Sequence, residues 1–582
     1  MKFKTLLTLL LTAITMASYG QIQPYAATDG LGRVLPLNEE TGDPKSDRHV
    51  AMFYFLWTGA GDNIAECSWD LDVLWREHPE VFEDFSSPYW GGGAGIDGRY
   101  YYWGQPIYGY YHGLDYWVHL KNVQLLTDAG VDMLVIDATN NSHYPQQADA
   151  LMRAMETVNK QGKMAPKIVF YTNTKSGERM QKIYDDIYKE GAKYRHPDCW
   201  FYLDGKPLIL GVSAQAKGKD YEQFFTIRES QWPTEATKTD GWPWIEFVRP
   251  QHVYSNHRGE REIINVSVSQ HPNPTAGMGG SAFYGNQDNW GRSYRNGSHG
   301  DPEKDIKYGY NFQEQWDYAL TQDVPYVFVT GWNEWIAGKW NSRDNNPEHS
   351  WFCDQASPEY SRDIEPSLTA GLDDHYYMQL VANIRHYKGV PAIPSAPEHR
   401  TIAQITDWES VPVNYTDYEG DVLHRDVFGA QTEPRVKYTN YTGRNDFSQM
   451  KVVRDGKNIY FYAKTADPIT PDHGENWMTL YIDTDNDGMT GWCGFDYKVI
   501  SGDRLMKYDG SSWSEVKKVP YMVEGNEMSI AIPIKALGLH ANSVSFRFKW
   551  ADNMQKEDPM DWYVNGDTAP GSRFSYVYKE EL

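Results

Sequence analysis

Cysteine is scarce in this chain. Four occur among 582 residues, Cys67, Cys199, Cys353 and Cys493. They lie far apart with no C-x-x-C pair, which argues against a zinc site. Free buried thiols and disulfides both remain open. Long apolar runs are also missing: beyond the N-terminus none approaches the ~20 residues that a membrane-spanning helix needs. Basic residues are outnumbered, 55 Lys and Arg against 79 Asp and Glu, for a formal net charge of -24. That balance disfavours nucleic acid and anionic membranes, which call for basic patches. No Gly-rich phosphate fingerprint follows an early strand. No G-x-S-x-G elbow appears, which argues against an esterase. No His/Asp/Glu cluster has metal-ligand spacing, so no cofactor is expected for catalysis. No internal repeat is present.

What the chain has in excess is aromatic surface: 15% of residues, with 22 Trp and 42 Tyr. Their flat apolar faces with a polar edge suit stacking on sugar rings. The N-terminus carries an export signal. Lys2 and Lys4 precede the apolar run "LLTLLLTAITM", and Ser18 and Gly20 are small residues before a cut at Gln21. Residues 1–20 are read as the signal peptide and 21–49 as an N-terminal arm. The mature protein is expected in the periplasm or outside the cell.

From residue 50 the pattern alternates strand and helix. Apolar strands are predicted at 49–57, 131–139, 167–173, 206–213, 244–248, 263–271 and 325–331, with helices at 115–130, 145–162, 177–191, 310–323 and 373–389. Seven strands are legible and an eighth is not placed. The fold class expected is α/β, a (β/α)8 barrel over residues 50–390, with an open doubly wound sheet as second choice. A Pro-rich linker, 391–402, follows. Residues 403–582 carry short alternating strands and are expected to form an all-β sandwich.

In a (β/α)8 barrel, function sits at the C-terminal ends of the strands. Asp137, Asn173, His271 and Glu334 fall at such ends. "VPYVFVTGWNEWIAGKW" (324–340) runs out of a buried strand into a carboxylate, Glu334, between Trp332 and Trp335. A satisfied acid capping a loop would explain it, and so would a glycosidase carboxylate walled by aromatics.

"TGWNEWIAG" resembles the WNEW signature of family 99 of the glycoside hydrolases and its WbsX-like relatives. "YWVHLKNVQLLTDAGVDMLVIDATN" and "RDIEP…YYMQLVANIRHYKG" are similar to other segments of that superfamily. The resemblance covers roughly residues 50–390. It implies a (β/α)8 barrel that cleaves α-linked sugars with retention, using two glutamates three positions apart. Glu334 matches the first. The second falls on Ala337, which has no carboxyl group. Two carboxyls normally flank the scissile bond, so another acid has to replace it, or the chemistry differs, or the barrel only binds.

Asp137 and Glu246 are the leading candidates for the missing acid, with a loop-capping aspartate and an acid paired inside as their respective alternatives; Asp344 and Glu348 read better as solvated loop charges than as the acid. Trp57, Trp90, Trp103, Trp332 and Trp335 are expected to form a stacking wall and Asn173 and Asn333 to bind substrate, while for His112 and His271 a sugar hydroxyl contact and a core hydrogen bond fit equally. In the C-terminal part, "YIDTDNDGMTGWCGFDYKV" (481–499) resembles family 9 carbohydrate-binding modules. Asp483, Asp485 and Asp487 alternate like ligands of a structural calcium ion, although no EF-hand glutamate follows; an acidic turn is the alternative. Trp477, Trp492 and Trp562 serve either as sugar platforms or as core. The functional expectation is an exported glycoside hydrolase acting on an α-linked poly- or oligosaccharide. A non-catalytic carbohydrate-binding protein on a degenerate barrel and a polysaccharide lyase are the alternatives.

Overall fold

The structure, a computed structural model, describes residues 22–580 except 60–69, 83–86, 88, 90–98, 141, 273–280, 283–288, 342–349, 353–356, 370, 431–434, 472–473 and 475. The signal segment, Cys67, Trp90, Asp344, Glu348 and Cys353 therefore lie outside the described residues. Cys199 and Cys493 are free thiols.

Eight parallel strands carry the first part of the chain: β1 (His49–Tyr54), β2 (Met133–Ala138), β3 (Lys167–Thr172), β4 (Lys206–Gly211), β5 (Thr226–Gln231), β6 (Gly241–Pro243), β7 (Arg261–Ser267) and β8 (Tyr326–Thr330). Each pairs with its neighbour in sequence except β6 with β7, and β8 returns to β1, with Val50 opposite Val327. The sheet is thus a nearly closed barrel. The seam lies between β6 and β7, where side chains replace the ladder. Asn265 Nδ2 on β7 donates to Trp244 O at 3.1 Å, Phe328 O at 2.9 Å and Thr330 Oγ1 at 3.1 Å. A short antiparallel strand, Val253–Ser255, flanks β7 beside the seam.

The strands are buried on both faces, and their side chains alternate between them with a period of two, as the pleat requires. Ala51, Phe53, Val135, Tyr171, Leu210 and Phe328 fill the interior. Val50, Met52, Leu134, Ile136, Val327 and Val329 face the helices. Those helices are α1 (Tyr116–Ala129), α2 (Pro145–Lys160), α3 (Ser176–Ile183), α4 (Tyr310–Leu320) and α5 (His375–Lys388). Asp115 caps α1, accepting from Val118 N at 3.4 Å, and Gly130 ends it at φ 83°. Ile22 of the N-terminal arm packs over that glycine, where a Cβ would meet its Cγ1 at 2.6 Å.

Two strand expectations change. Residues 244–248 are not a strand; β6 stops at Pro243, and Trp244–Phe247 form the loop at its end. Apolarity there reflects burial at the barrel seam and mouth, not a ladder. The unplaced strand is β5, "TIRESQ". Its charge hid it: Arg228 donates to Glu262 from Nε at 2.9 Å and Nη2 at 2.7 Å inside the protein. Polarity reading cannot anticipate a buried ion pair.

From Tyr415 onward two large antiparallel sheets follow, one of five strands and one of seven, with a separate two-stranded sheet of Arg425–Phe428 and Lys437–Asn440. Their rings meet: Phe461 lies 5.4 Å from Phe546 and 5.8 Å from Phe548. One apolar cluster runs from the helix layer of the barrel into both sheets. No helix is long and apolar enough to cross a membrane among the described residues.

Candidate active site

The chain leaving β8 is fixed atom by atom. Gly331 N donates to Arg362 O and Trp332 N to Phe53 O, each at 2.9 Å. Asn333 then continues the pairing with its side chain. Its Oδ1 accepts from Phe55 N at 2.9 Å, and its Nδ2 donates to Phe55 O at 3.1 Å and to Tyr111 Oη at 2.9 Å. An amide that replaces a strand neighbour holds the next residue, Glu334, at the end of the barrel.

Glu334 is 6% exposed. Its Oε2 accepts from Arg362 Nη2 at 2.8 Å. Its backbone N–H donates to Asp363 Oδ1, and its carbonyl accepts from Trp103 Nε1 at 3.2 Å. Trp103 and Trp335 pack with ring centroids 5.4 Å apart. Arg362 also sits over the Trp244 ring at 5.0 Å, and its Nη1 reaches His271 Nδ1 at 3.5 Å. A charge-assisted hydrogen bond inside a low-dielectric, aromatic-walled site favours the ionised carboxylate.

Two further acids back this arrangement. Glu365 Oε2 accepts from Tyr111 Oη at 2.9 Å and from Trp335 Nε1. Burial pushes Glu365 up to about 8 and Asp363 up to about 7. Arg292 clamps their segment, donating from Nη2 to Asp363 O at 2.8 Å and Ser361 Oγ at 2.7 Å. Arg362, Asp363, Glu365, Tyr111 and Trp244 do not stand out from the sequence. The one signal was the run "RDIEP", three charges in four residues beside an apolar helix, which reads as surface until its burial is known.

The remaining expected residues fall as follows. Asp137 lies on the inward register of β2, in step with Met133 and Val135, and its Oδ1 accepts from Thr139 N at 3.0 Å and Oγ1 at 2.7 Å. Asn173, just past β3, accepts on Oδ1 from Ser230 Oγ at 3.0 Å. His271 packs on Phe247 at 4.9 Å. Trp57 is half-buried and touches both the interior and the outer layer. Glu246 is held by three donors: Tyr254 Oη at 2.9 Å, His252 Nδ1 and Phe247 N, each at 3.0 Å. Trp332 is fully buried, 6.1 Å from Tyr377 of α5, so its ring belongs to the wall–helix core. His112 packs over Gly59 (φ 72°), where a Cβ would meet its ring at 2.3 Å, and burial lowers its pKa. The backbone of Ala337 pairs with Tyr101.

Among the described residues, two groups of acids come close enough to share an ion, both in the C-terminal part: Asp421, Asp446 and Asp567, and Asp483, Asp485 and Asp496. The second includes two of the three aspartates expected at a calcium site. Asp487 is not in it; its Oδ1 accepts from Met489 N at 2.9 Å, and Asp496 stands in its place. Trp477 and Trp562 are buried in the C-terminal core, while Trp492 stacks on Tyr481 at 5.6 Å.

No protein-family model matches the sequence, and no curated protein does. Among solved structures, the GH99 endo-alpha-mannosidase from Bacteroides thetaiotaomicron aligns at TM-score 0.33 and 12% identity, over 59% of this chain and 98% of that one. An alpha-fucosidase from Thermotoga maritima aligns at TM-score 0.25 and 9% identity, over 89% of this chain and 97% of its own. At such scores neither likeness transfers an activity or a residue role to this chain.

Proposed function

We propose that the barrel mouth hydrolyses a glycosidic bond of an α-linked poly- or oligosaccharide, in an exported protein, periplasmic or extracellular. The observation that carries this reading is Glu334 itself, a buried carboxylate at the end of β8, held 2.8 Å from Arg362 among indole rings. Paired in this way, Glu334 suits the ionised role of nucleophile or base, not that of the acid that protonates the leaving oxygen. Asp137 is the partner this reading favours. It lies on the inward register of β2, whereas Glu246 sits in the loop past β6, held by Tyr254, His252 and Phe247. Trp57 and His271 supply a stacking face and a polar contact at the rim.

Turnover on a panel of α-linked glycans tests the reading. Glu334→Gln keeps the shape and removes the charge. It should lower turnover by ~10²–10⁴-fold and leave glycan binding in place. Asp137→Asn should lose a similar factor. Near-full turnover of Glu334→Gln on a confirmed substrate would sink the proposal.

A second reading, a barrel that binds glycan without cleaving it, is favoured by Ala337, which stands where the resembled pattern has its second glutamate. It predicts saturable glycan binding, no released reducing ends on any glycan, and no change when Asp137 is replaced.

A further inference from the structure

Four aspartates, Asp417, Asp421, Asp446 and Asp567, converge where α1 of the barrel meets the C-terminal sheets; each is at most 9% exposed. One oxygen each from Asp421, Asp446 and Asp567 lies within 4.8 Å of the others. Their hydrogen bonds are few and specific. Asp421 Oδ2 accepts from Lys121 Nζ and Gln124 Nε2, each at 3.1 Å. Asp446 Oδ2 accepts from Gly420 N at 2.6 Å. Asp567 accepts from Phe447 N at 2.6 Å and Thr568 N at 2.8 Å. Asp421 Oδ1, Asp446 Oδ1 and Asp417 Oδ2 are buried and have no donor.

The neighbouring cations are too few for this charge. Lys121 makes its contact ion pair with Asp421 and acts on Asp417, Asp446 and Asp567 from farther away. Lys163 lies over the Tyr418 ring at 4.2 Å. The Lys549 ammonium is spent on the carbonyls of Pro570, Ser572 and Phe574. Asp128 adds a further buried acid, accepting from Tyr418 Oη at 3.0 Å. Unpaired carboxylates in a protein interior cost several kcal/mol each, so they bind a cation or a proton. A cavity of about 40 Å³ is lined by Asp417, Asp421, Asp567 and Lys121, with Asp446 outside its lining. That is enough for an ion with one or two waters, since one water needs roughly 10–15 Å³ by the same measure.

We propose that Asp421, Asp446 and Asp567 hold a Ca²⁺ ion that ties the two C-terminal sheets to each other beside α1. The donors are all hard oxygens, which select Ca²⁺ or Mg²⁺. Three carboxylates converging in a buried pocket suit Ca²⁺, because Mg²⁺ dehydrates reluctantly and keeps several of its waters. The ligands come from the loop after Tyr415–Thr416, the start of strand Phe447–Arg454 and strand Asp567–Ala569, facing Lys121 and Gln124 of α1. The ion would staple segments that are distant in sequence. This inference does not depend on the glycosidase reading. The alternative is protonation, and burial already raises Asp446 to about 7.

The test uses the full chain, stripped with EDTA and titrated with CaCl₂, followed by isothermal titration and thermal melting. Ca²⁺ should bind at this site and raise Tm by at least about 2 °C at saturation. Asp421→Asn and Asp446→Asn should each abolish that increment, whereas Asp485→Asn, in the other acidic group, should keep it. In EDTA the Asp446→Asn protein should melt at or above wild type, because a like charge is gone; that result also establishes that the variant folds. No Tm response to CaCl₂ at pH 7.5, or a response lost in Asp485→Asn but kept in both other variants, would overturn the proposal.

Discussion

Arg362 Nη2 lies 2.8 Å from Glu334 Oε2, and the two side chains are 2% and 7% exposed. Such a pair is expensive to break from one side, because the survivor is left charged in a dry site. Arg362→Met should therefore destabilise the protein by about 3–5 kcal/mol, read from denaturant midpoints. Arg362→Lys keeps the charge but not the fork that also reaches toward His271, and should fall between. On a confirmed substrate, kcat/KM should drop for both, more for Met. Unchanged stability and turnover in Arg362→Met would mean that the pair does not hold Glu334.

Glu365 gives a pH signature. Burial raises it to about 8, against an ordinary value near 4.3. Between these values the native chain keeps a proton that the unfolded chain has lost. Stability from this group is therefore full below about pH 4 and falls as pH rises to about 8, by up to ~1.4 kcal/mol per pH unit. Asp363, raised to about 7, acts in the same sense. Buried histidines such as His119, lowered by desolvation, act in the opposite one. The difference between wild type and Glu365→Gln isolates the glutamate, so the variant should gain stability relative to wild type as pH rises from 5 to 8. A pH-independent difference would mean that Glu365 is ionised in the native state.

The barrel seam rests on Asn265. Replacing it by Leu keeps the volume but removes a donor from the Phe328 carbonyl and one from the Trp244 carbonyl, which keeps Thr330 Oγ1. Each buried acceptor left bare costs about 1–3 kcal/mol. Since Trp244 lies beneath Arg362, hydrogen exchange should also quicken around residues 241–247. Exchange confined to wild-type rates there would place closure elsewhere.

The barrel and the C-terminal sheets are expected to melt together. Arg425 of the C-terminal part donates to Asp115 Oδ2 from Nη2 at 2.7 Å and Nε at 2.9 Å, and Asp115 caps α1. Arg573 and Tyr563 both bond Asp374 Oδ2. Residues 22–390 expressed alone should melt below the full chain and bind a hydrophobic dye, and Arg425→Ala should cost about 3–5 kcal/mol. A barrel fragment as stable as the whole would contradict a shared core.

Local physics wrote much of this into the sequence. β1, β2, β3, β4, β7 and β8 and the five helices named above are legible, because apolar residues recur at the period of a pleat or of a helix face and because Gly130 and Pro145 punctuate them. The position of Glu334 past β8 follows from the same pattern. What tertiary structure alone decided is which charges are buried and with whom. β5 was hidden by Arg228, whose partner Glu262 lies more than thirty residues on. Arg362, Asp363 and Glu365 read as surface until the chain folds back along β8. Asp421, Asp446 and Asp567 span nearly one hundred and fifty residues and meet only when three segments pack on α1. Periodicity reports a residue's own environment, whereas the pairing of charges depends on long-range contacts that local sequence does not encode.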